Sequence, residues 1–186
     1  LAAYEASFHV RLGNWNDAQR LLAEANTGGV HPLGQKVQAE MLLYQDQAAA
    51  AAAILDEFVV KYSNGYPSEP VLGARLLLAL ALFKQHKMYQ ARHTLAEAIR
   101  LAAPEKFIRP FLNHNNQLIP LLALLQKKSL SNEAAEFVRE ILQTLGHSGN
   151  IEELLSKEQL ESLTTAASIT EREQEVLKLV GNGLST

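Results

Sequence analysis

The sequence predicts an all-α fold in which antiparallel helix pairs stack into a right-handed superhelix. Each segment between turns is rich in Ala, Leu, Gln and Glu and lacks the alternating pattern of a strand, which favours helices throughout. Turn residues recur at regular intervals, and small residues recur where two paired helices must approach closely. With 186 residues, 47% of them hydrophobic, the chain can bury the core that such a stack needs.

Turn signals divide the chain into its predicted helices. Clusters of Gly, Asn and Pro occur at 13–14, 27–32 and 63–70, and a short polar break lies at 85–87. Since these residues interrupt helices, each cluster separates two predicted helices. The predicted spans are 1–12, 15–26, 34–45, 48–62, 70–85, 88–103, 105–113, 116–128 and 131–146.

Small residues mark a repeat in the first three helix pairs. In each pair, one alanine of the first helix precedes one alanine of the second by twelve residues, and the second alanines are spaced by 33 and then 40 residues. This pattern resembles the tetratricopeptide repeat (TPR), in which small side chains let paired helices interlock and successive pairs stack. A generic helical array with alanine at crowded contacts is the alternative. The alanine pairs are Ala6 and Ala18, Ala39 and Ala51, and Ala79 and Ala91, with Gly13, Asp46 and His86 at corresponding turns.

Residues after the third pair predict a cap on the stack. Pro104 suits the first turn of a helix, so a short helix is predicted over 105–113, with Pro110 shortening or kinking it. The Leu-rich helix at 116–128 is apolar on nearly every face, which predicts that it is buried between neighbours. The helix that follows ends at Gly146.

The first helix of each pair lines the concave surface of such a stack, where these arrays hold peptides or small ligands. Charged and aromatic side chains together suit a small polar ligand, because a flat ring can be stacked while charged groups fix its orientation. Ordinary solvent-exposed side chains are the alternative at each position. The candidate ligand-binding residues are Arg11, Lys36, Glu40, Tyr44, Phe83 and Lys84.

Composition and charge exclude several classes of protein. The net charge of −3 is unlike the basic footprint of a domain that binds DNA or an anionic membrane by itself. The absence of cysteine excludes disulfides, zinc fingers and a thiol nucleophile, and fits a reduced compartment. The chain has no apolar run long enough to span a bilayer and no signal-peptide pattern at its N-terminus. We therefore expect a cytoplasmic protein with no membrane partner.

Catalytic and metal-binding motifs are missing from the sequence. The six histidines include no convincing metal-ligand spacing with acidic company, and the acidic residues are scattered. The sequence contains neither a nucleophile elbow nor a Gly-rich phosphate loop. We therefore expect neither an enzyme nor a metal or cofactor site in this chain.

The end of the helical array resembles the sensor domain of MalT-type regulators, the large ATP-dependent members of the LuxR family. The chain matches the sensor's closing run, which is followed by a Leu-rich helix in that family. By this resemblance, residues 1–147 form a TPR-like sensor domain and the polar stretch 148–168 is a linker. The matching residues are Leu95, Ala98, Leu101, Ala102, Pro104, Glu105, Phe107, Ile108, Arg109, Phe111 and Leu112.

The last eighteen residues resemble the start of the LuxR-type helix-turn-helix domain. The order of the two similar stretches also agrees with this family, in which the helical sensor precedes the DNA-binding domain. Residues 169–186 would then be its truncated beginning, with Thr170, Arg172, Glu173, Leu177 and Gly183 as scaffold and no DNA-contacting residue. The matching residues are Thr170, Arg172, Glu173, Glu175, Val176, Leu177, Leu179, Gly183, Leu184 and Ser185.

The resemblance implies a module of a bacterial transcriptional regulator. ATP would be bound by an upstream domain, a small-molecule inducer or a regulatory protein would bind the helical array, and DNA would be bound by the domain begun at 169–186. Because the chain starts with Leu1 and stops within that domain, we expect an excised segment of a longer protein. Self-association is left open, and a free-standing TPR-like scaffold for protein–protein interaction is the alternative function.

Overall fold

Helices make up the regular structure of the described residues, with no strand among them, which confirms the all-α prediction. The structure is a computed structural model and describes residues 2–27, 29, 31–63, 68–114, 117–126 and 130–146. The helices are α1 (Ala2–Arg11), α2 (Trp15–Ala25), α3 (Pro32–Tyr44), α4 (Ala48–Tyr62), α5 (Glu69–Lys84), α6 (Met88–Ala102), α7 (Arg109–Leu112), α8 (Ile119–Gln126) and α9 (Asn132–Thr144).

The first six helices form three hairpins, α1 with α2, α3 with α4, and α5 with α6. Corresponding residues of the three turns, Gly13, Asp46 and His86, all have left-handed backbone with φ of 74°, 57° and 59°. In each turn the N–H of this residue donates to the carbonyl three residues earlier, and the next N–H donates to the carbonyl five residues before itself, at 2.9 to 3.3 Å. These bonds satisfy the last carbonyls of the first helix, so each turn is the same C-terminal cap.

Each hairpin buries one alanine from each of its two helices. The paired alanines predicted from the twelve-residue separation are all completely buried. Because a methyl group is small, the two helices of a hairpin can approach closely there, and a larger side chain would force them apart. The buried alanines are Ala6 and Ala18, Ala39 and Ala51, and Ala79 and Ala91.

Helix α5 lies at the centre of the packed helices. It contacts α3, α4, α6 and α7, and Leu72 and Leu76 are completely buried. Burial on nearly every side explains its almost continuous run of Leu and Ala, which has no polar face. The first helices are also neighbours, since α3 packs against both α1 and α5. Side chains from α1, α3 and α5 can therefore meet at one surface.

The predicted helix over 105–113 is wrong in its first half. Helix α6 ends at Ala102, and the chain turns through Pro104 to Lys106, which has left-handed backbone at φ 49°. The N–H of Phe107 donates to the carbonyl of Ala102 at 3.0 Å, which repeats the hairpin cap. Helix α7 begins only at Arg109. Pro110 therefore occupies its first turn and does not kink it, because the missing N–H there needs no partner.

The last described helices complete the packed unit. Helix α8 packs against α6 and α9, and α9 also contacts α6 and α7. The Ser131 side chain accepts a hydrogen bond from the N–H of Ala134 at 3.3 Å and caps the start of α9. Gly146, with φ 81°, follows its end as predicted. This compact unit ends at Leu145.

Two predicted segments lie outside the described residues, the linker at 148–168 and the partial helix-turn-helix at 169–186. Within the ranges that the structure describes, every helix is too short or too polar to cross a membrane.

Candidate functional site

A cavity of about 470 Å³ opens where the first helices of the three hairpins meet the segment after α6. Its volume is within the range of small-ligand pockets. Two of the predicted ligand-binding residues, Arg11 and Lys36, line it. The lining residues are Ala3, Tyr4, Ser7, Phe8 and Arg11 of α1, Leu33, Lys36 and Val37 of α3, Glu69 of α5, and Phe107, Arg109 and Asn113.

Glu40, a third predicted residue, is buried behind Arg11 and Ser7. Its side chain is held by two donors from α1, since Ser7 Oγ donates to Oε2 at 2.8 Å and Arg11 Nε donates to Oε1 at 3.0 Å. Arg11 Nη2 also donates to Ser7 Oγ at 3.3 Å. Because Glu40 is only 1% exposed, these bonds are what makes the burial of its charge tolerable. Glu40 therefore positions Arg11 and joins α1 to α3.

Lys36 extends from α3 across the cavity to the backbone of α5. A Cβ added to Gly73 would lie 2.8 Å from Lys36 Nζ, so glycine makes the space for the ammonium group. Burial lowers the pKa of Lys36 from its ordinary value of 10.5; the negative charge of Glu40 opposes this and the positive charge of Arg11 adds to it. Lys36 forms no hydrogen bond or ion pair with any of the described residues. Its charge is available to a ligand.

His114 is a buried neutral group beside this cluster. Burial lowers its pKa to about 3, and the positive charges of Lys36 and Arg11 contribute to the lowering. The imidazole is therefore uncharged at neutral pH and adds no positive charge to the cavity.

Aromatic side chains surround the mouth of the cavity. Tyr4 and Phe8 are one helical turn apart on α1 and are 59% and 61% exposed. Phe107 and Arg109, on the segment after α6, also line the cavity. A ligand in the cavity would therefore contact apolar rings as well as cations, which is the combination that holds flat ligands in a defined orientation.

The other three predicted residues lie away from this cavity. Tyr44 is at the end of α3, where its ring lies 6.2 Å from that of Trp15. Lys84, at the end of α5, forms an ion pair with Asp46 at 2.7 Å and donates to the carbonyl of Leu43 at 3.3 Å. Phe83 precedes it and is half-buried. The six predicted residues are thus divided between the cavity region, with Arg11, Lys36 and Glu40, and the C-terminal ends of α3 and α5, with the other three.

Most residues of the cavity region are missing from the sequence-based candidates, and three of them, Ser7, Gly73 and His114, show which signals the sequence offered. Ser7 lies one helical turn before Arg11, and this spacing on the face containing Ala3 and Ala6 was a usable signal. Gly73 is a glycine inside a helix, which commonly marks a close approach. His114 carries no such signal, since its burial depends on how the segment after α6 packs.

A second cavity, of about 540 Å³, lies between α4, α5 and α6. Tyr89 and His93 stack at its edge, with ring centroids 6.4 Å apart. It contains Lys87 and Asp56 but none of the predicted ligand-binding residues. In the part of the chain that the structure describes, no group of three or more His, Asp or Glu side chains could hold a metal ion.

No protein-family model, curated protein or solved structure matches the chain at a significant level.

Proposed function

We propose that this chain is the effector-binding sensor module of a bacterial LuxR-family, MalT-like transcriptional regulator. In this proposal the hairpins form a right-handed, TPR-like superhelix, and a small molecule or a regulatory protein binds its concave face. ATP binding belongs to a domain upstream, and DNA binding belongs to the helix-turn-helix domain that residues 169–186 resemble. The described helices bind and relay, and they carry no catalysis.

The observation that carries the proposal is that residues of the MalT-like run line the cavity. Phe107 and Arg109 belong to the run that resembles the closing part of a MalT-type sensor, and both line the cavity together with residues of α1. A cavity that joins this run to the first helix of every hairpin is suited to effector binding. The dense LuxR-type matches in residues 169–186 supply the second part of the argument.

The cavity geometry suggests how binding could act at a distance. A ligand that touches Arg11 on α1, Lys36 on α3 and Arg109 on α7 contacts the first two hairpins and the segment after the third. Such a ligand binds most tightly when these elements have one particular spacing, and it shifts the population toward that arrangement. A regulator needs this differential affinity, because equal binding to two states shifts nothing.

Chromatin immunoprecipitation tests the proposal in cells whose full-length parent gene, which includes the codons for residues 1–186, carries an epitope tag. We expect enrichment of a small set of promoters over an untagged control. Leu177→Asp should abolish the enrichment, because Leu177 matches an apolar position of the LuxR-type helix. Lys87→Met is the control, because Lys87 is exposed, and this variant should leave the promoter enrichment intact. A variant such as Leu42→Asp would be unsuitable as a control, because Leu42 packs against the helical core.

A free-standing TPR-like scaffold gives the opposite result. It would enrich no DNA above the untagged control, and Leu177→Asp would change neither its genomic distribution nor transcription. That outcome would overturn the regulator proposal.

A further inference from the structure

The cavity between α1, α3, α5 and the segment after α6 has an excess of unpaired positive charge. Arg11 is already paired with Glu40 at 3.0 Å. Lys36 and Arg109 line the same cavity and form no ion pair with any residue that the structure describes. Glu69 is the acidic side chain of the lining. Two unpaired cations and one carboxylate give this part of the lining a net charge of about +1, which one bound negative charge would neutralise.

The position of the Lys36 ammonium group favours a bound anion as its partner. A lysine normally extends its ammonium group into water, where hydration stabilises it. Here the ammonium lies against α5, in the space left by the missing side chain of Gly73. Lys36 is half-buried near Glu40 and Glu69 but forms an ion pair with neither, so an anion bound in the cavity would offset the cost of its partial desolvation.

The apolar part of the lining indicates what the anion should be attached to. Tyr4 and Phe8 of α1 line the cavity together with Phe107 of the segment after α6. These rings offer faces and edges to a flat, apolar group. A cavity of about 470 Å³ holds a molecule of modest size, with one ring system and a short acidic arm.

We propose that the cavity binds a small aromatic carboxylate, with its carboxylate on Lys36 and Arg109 and its ring among Tyr4, Phe8 and Phe107. This inference rests on the proposed sensor function for its biological meaning. A monocarboxylate fits the charge of the site better than a phosphate dianion, because Glu69 and the nearby Glu40 oppose a second negative charge. The pKa of Lys36, though lowered by burial, is raised again by a bound carboxylate, so binding and protonation favour each other.

Isothermal titration calorimetry on the chain 1–186 tests this with matched probes. Benzoate and indole-3-acetate are compared with benzamide and indole-3-acetamide, which have the same rings without the charge, and with phenyl phosphate. We expect the carboxylates to bind at least about tenfold more tightly than their amides, because charge-assisted hydrogen bonds are lost with the charge. Phenyl phosphate should bind more weakly than benzoate.

Three variants test the assignment to Lys36 and Arg109. Lys36→Met keeps the apolar stem of the side chain, and Arg109→Gln keeps a polar group. Each substitution should lower the affinity for benzoate at least about tenfold. Lys87→Met, an exposed lysine beside the second cavity, is the matched control and should bind like wild type. Gly73→Ala leaves every charge in place, but its Cβ would lie within 2.9 Å of Lys36 Cε and Nζ and must displace them. This variant should bind benzoate with lower affinity than wild type. It should keep the helical circular dichroism spectrum of wild type, because alanine favours helix.

The proposal is overturned if benzamide binds as tightly as benzoate, if no probe binds, or if Lys36→Met and Gly73→Ala both bind benzoate like wild type. These results are distinguishable from failure of the regulator proposal. Promoter enrichment without probe binding rejects the carboxylate class alone, whereas probe binding without promoter enrichment supports the site and rejects the regulator.

Discussion

Two ion pairs link neighbouring hairpins near α3, one between α1 and α3 beside the cavity and one between α5 and the turn that follows α3. Arg11 of α1 pairs with Glu40 at 3.0 Å, and the Glu40 side chain is 2% exposed. Lys84 of α5 pairs with Asp46 at 2.7 Å, and the Asp46 side chain is 87% exposed. The shorter pair is therefore the one in water.

Burial, more than distance, decides what each pair contributes. Water and salt screen the Lys84–Asp46 pair, so its attraction adds little to stability. Glu40 has exchanged water for Arg11 and Ser7, so removing either donor leaves a buried charge without its partner. The stability of the protein should therefore be sensitive to substitution at the Arg11–Glu40 pair and tolerant of substitution at the Lys84–Asp46 pair.

The largest effect on stability is expected from Arg11→Met. This substitution keeps the apolar stem of the side chain, but among the described residues it leaves Ser7 as the one hydrogen-bond donor to Glu40. Breaking a buried pair from one side typically costs 3 to 5 kcal/mol. Because Arg11 is itself partly exposed, we expect the lower end, about 3 kcal/mol in the free energy of unfolding measured by urea denaturation.

Arg20→Met is the control, since Arg20 pairs with Asp17 at 3.3 Å with both side chains exposed. It should cost less than about 0.5 kcal/mol. The double variant Arg11→Met, Glu40→Met should recover most of the lost stability, because no buried charge remains. Equal losses from Arg11→Met and Arg20→Met would contradict the comparison.

The next effect is expected from Ser7→Ala, which removes the donor to Glu40 Oε2 at 2.8 Å and changes no charge. A buried acceptor left without its donor costs about 2 kcal/mol. Thr27→Ala, which removes an exposed bond to the carbonyl of Glu24, should cost much less. If the two losses in urea denaturation are equal, burial does not set the value of these bonds.

Sequence periodicity predicted the hairpins well because their determinants are local. The alanines at 18, 51 and 91 are buried where the twelve-residue separation placed them. The turn after α6 was mispredicted because Lys106 adopts left-handed backbone without being glycine, so nothing in its side chain signals a helix end. Pro104 then suggested a helix start, whereas Pro110 is the proline in the first turn of α7.

The candidate site was only partly predictable, because periodicity gives the face of a helix but not its contacts along the axis. Lys36 and Lys84 both come from first helices, yet Lys84 reaches the carbonyl of Leu43. Leu43 is seven residues beyond Lys36 on α3, which is about 10 Å along the helix. One predicted surface therefore contains two separate groups of side chains.

A smaller effect is expected at the turns, where backbone conformation should matter more than the side chain. His86→Gly should stabilise the protein by about 0.5 to 1 kcal/mol, because glycine adopts left-handed backbone without strain. Gly13→Ala at the corresponding turn should destabilise it by about 1 kcal/mol, and no atom within 4 Å would obstruct the added methyl group. Thermal unfolding of both variants measures this. Shifts of the same sign would contradict the equivalence of the turns.

The smallest effect is expected from Lys84→Met at the exposed pair. Its hydrogen bond and charge hold the pKa of Asp46 below the ordinary value of 3.8. Since the folded pKa is the lower one, the stabilisation is present above the unfolded pKa and is lost as the pH falls through the folded pKa. The melting temperatures of wild type and Lys84→Met should therefore differ slightly at neutral pH and converge once the pH falls below the folded pKa of Asp46. A gap that persists in acid would mean that Lys84 acts through the carbonyl of Leu43 and not through Asp46, because that carbonyl does not titrate.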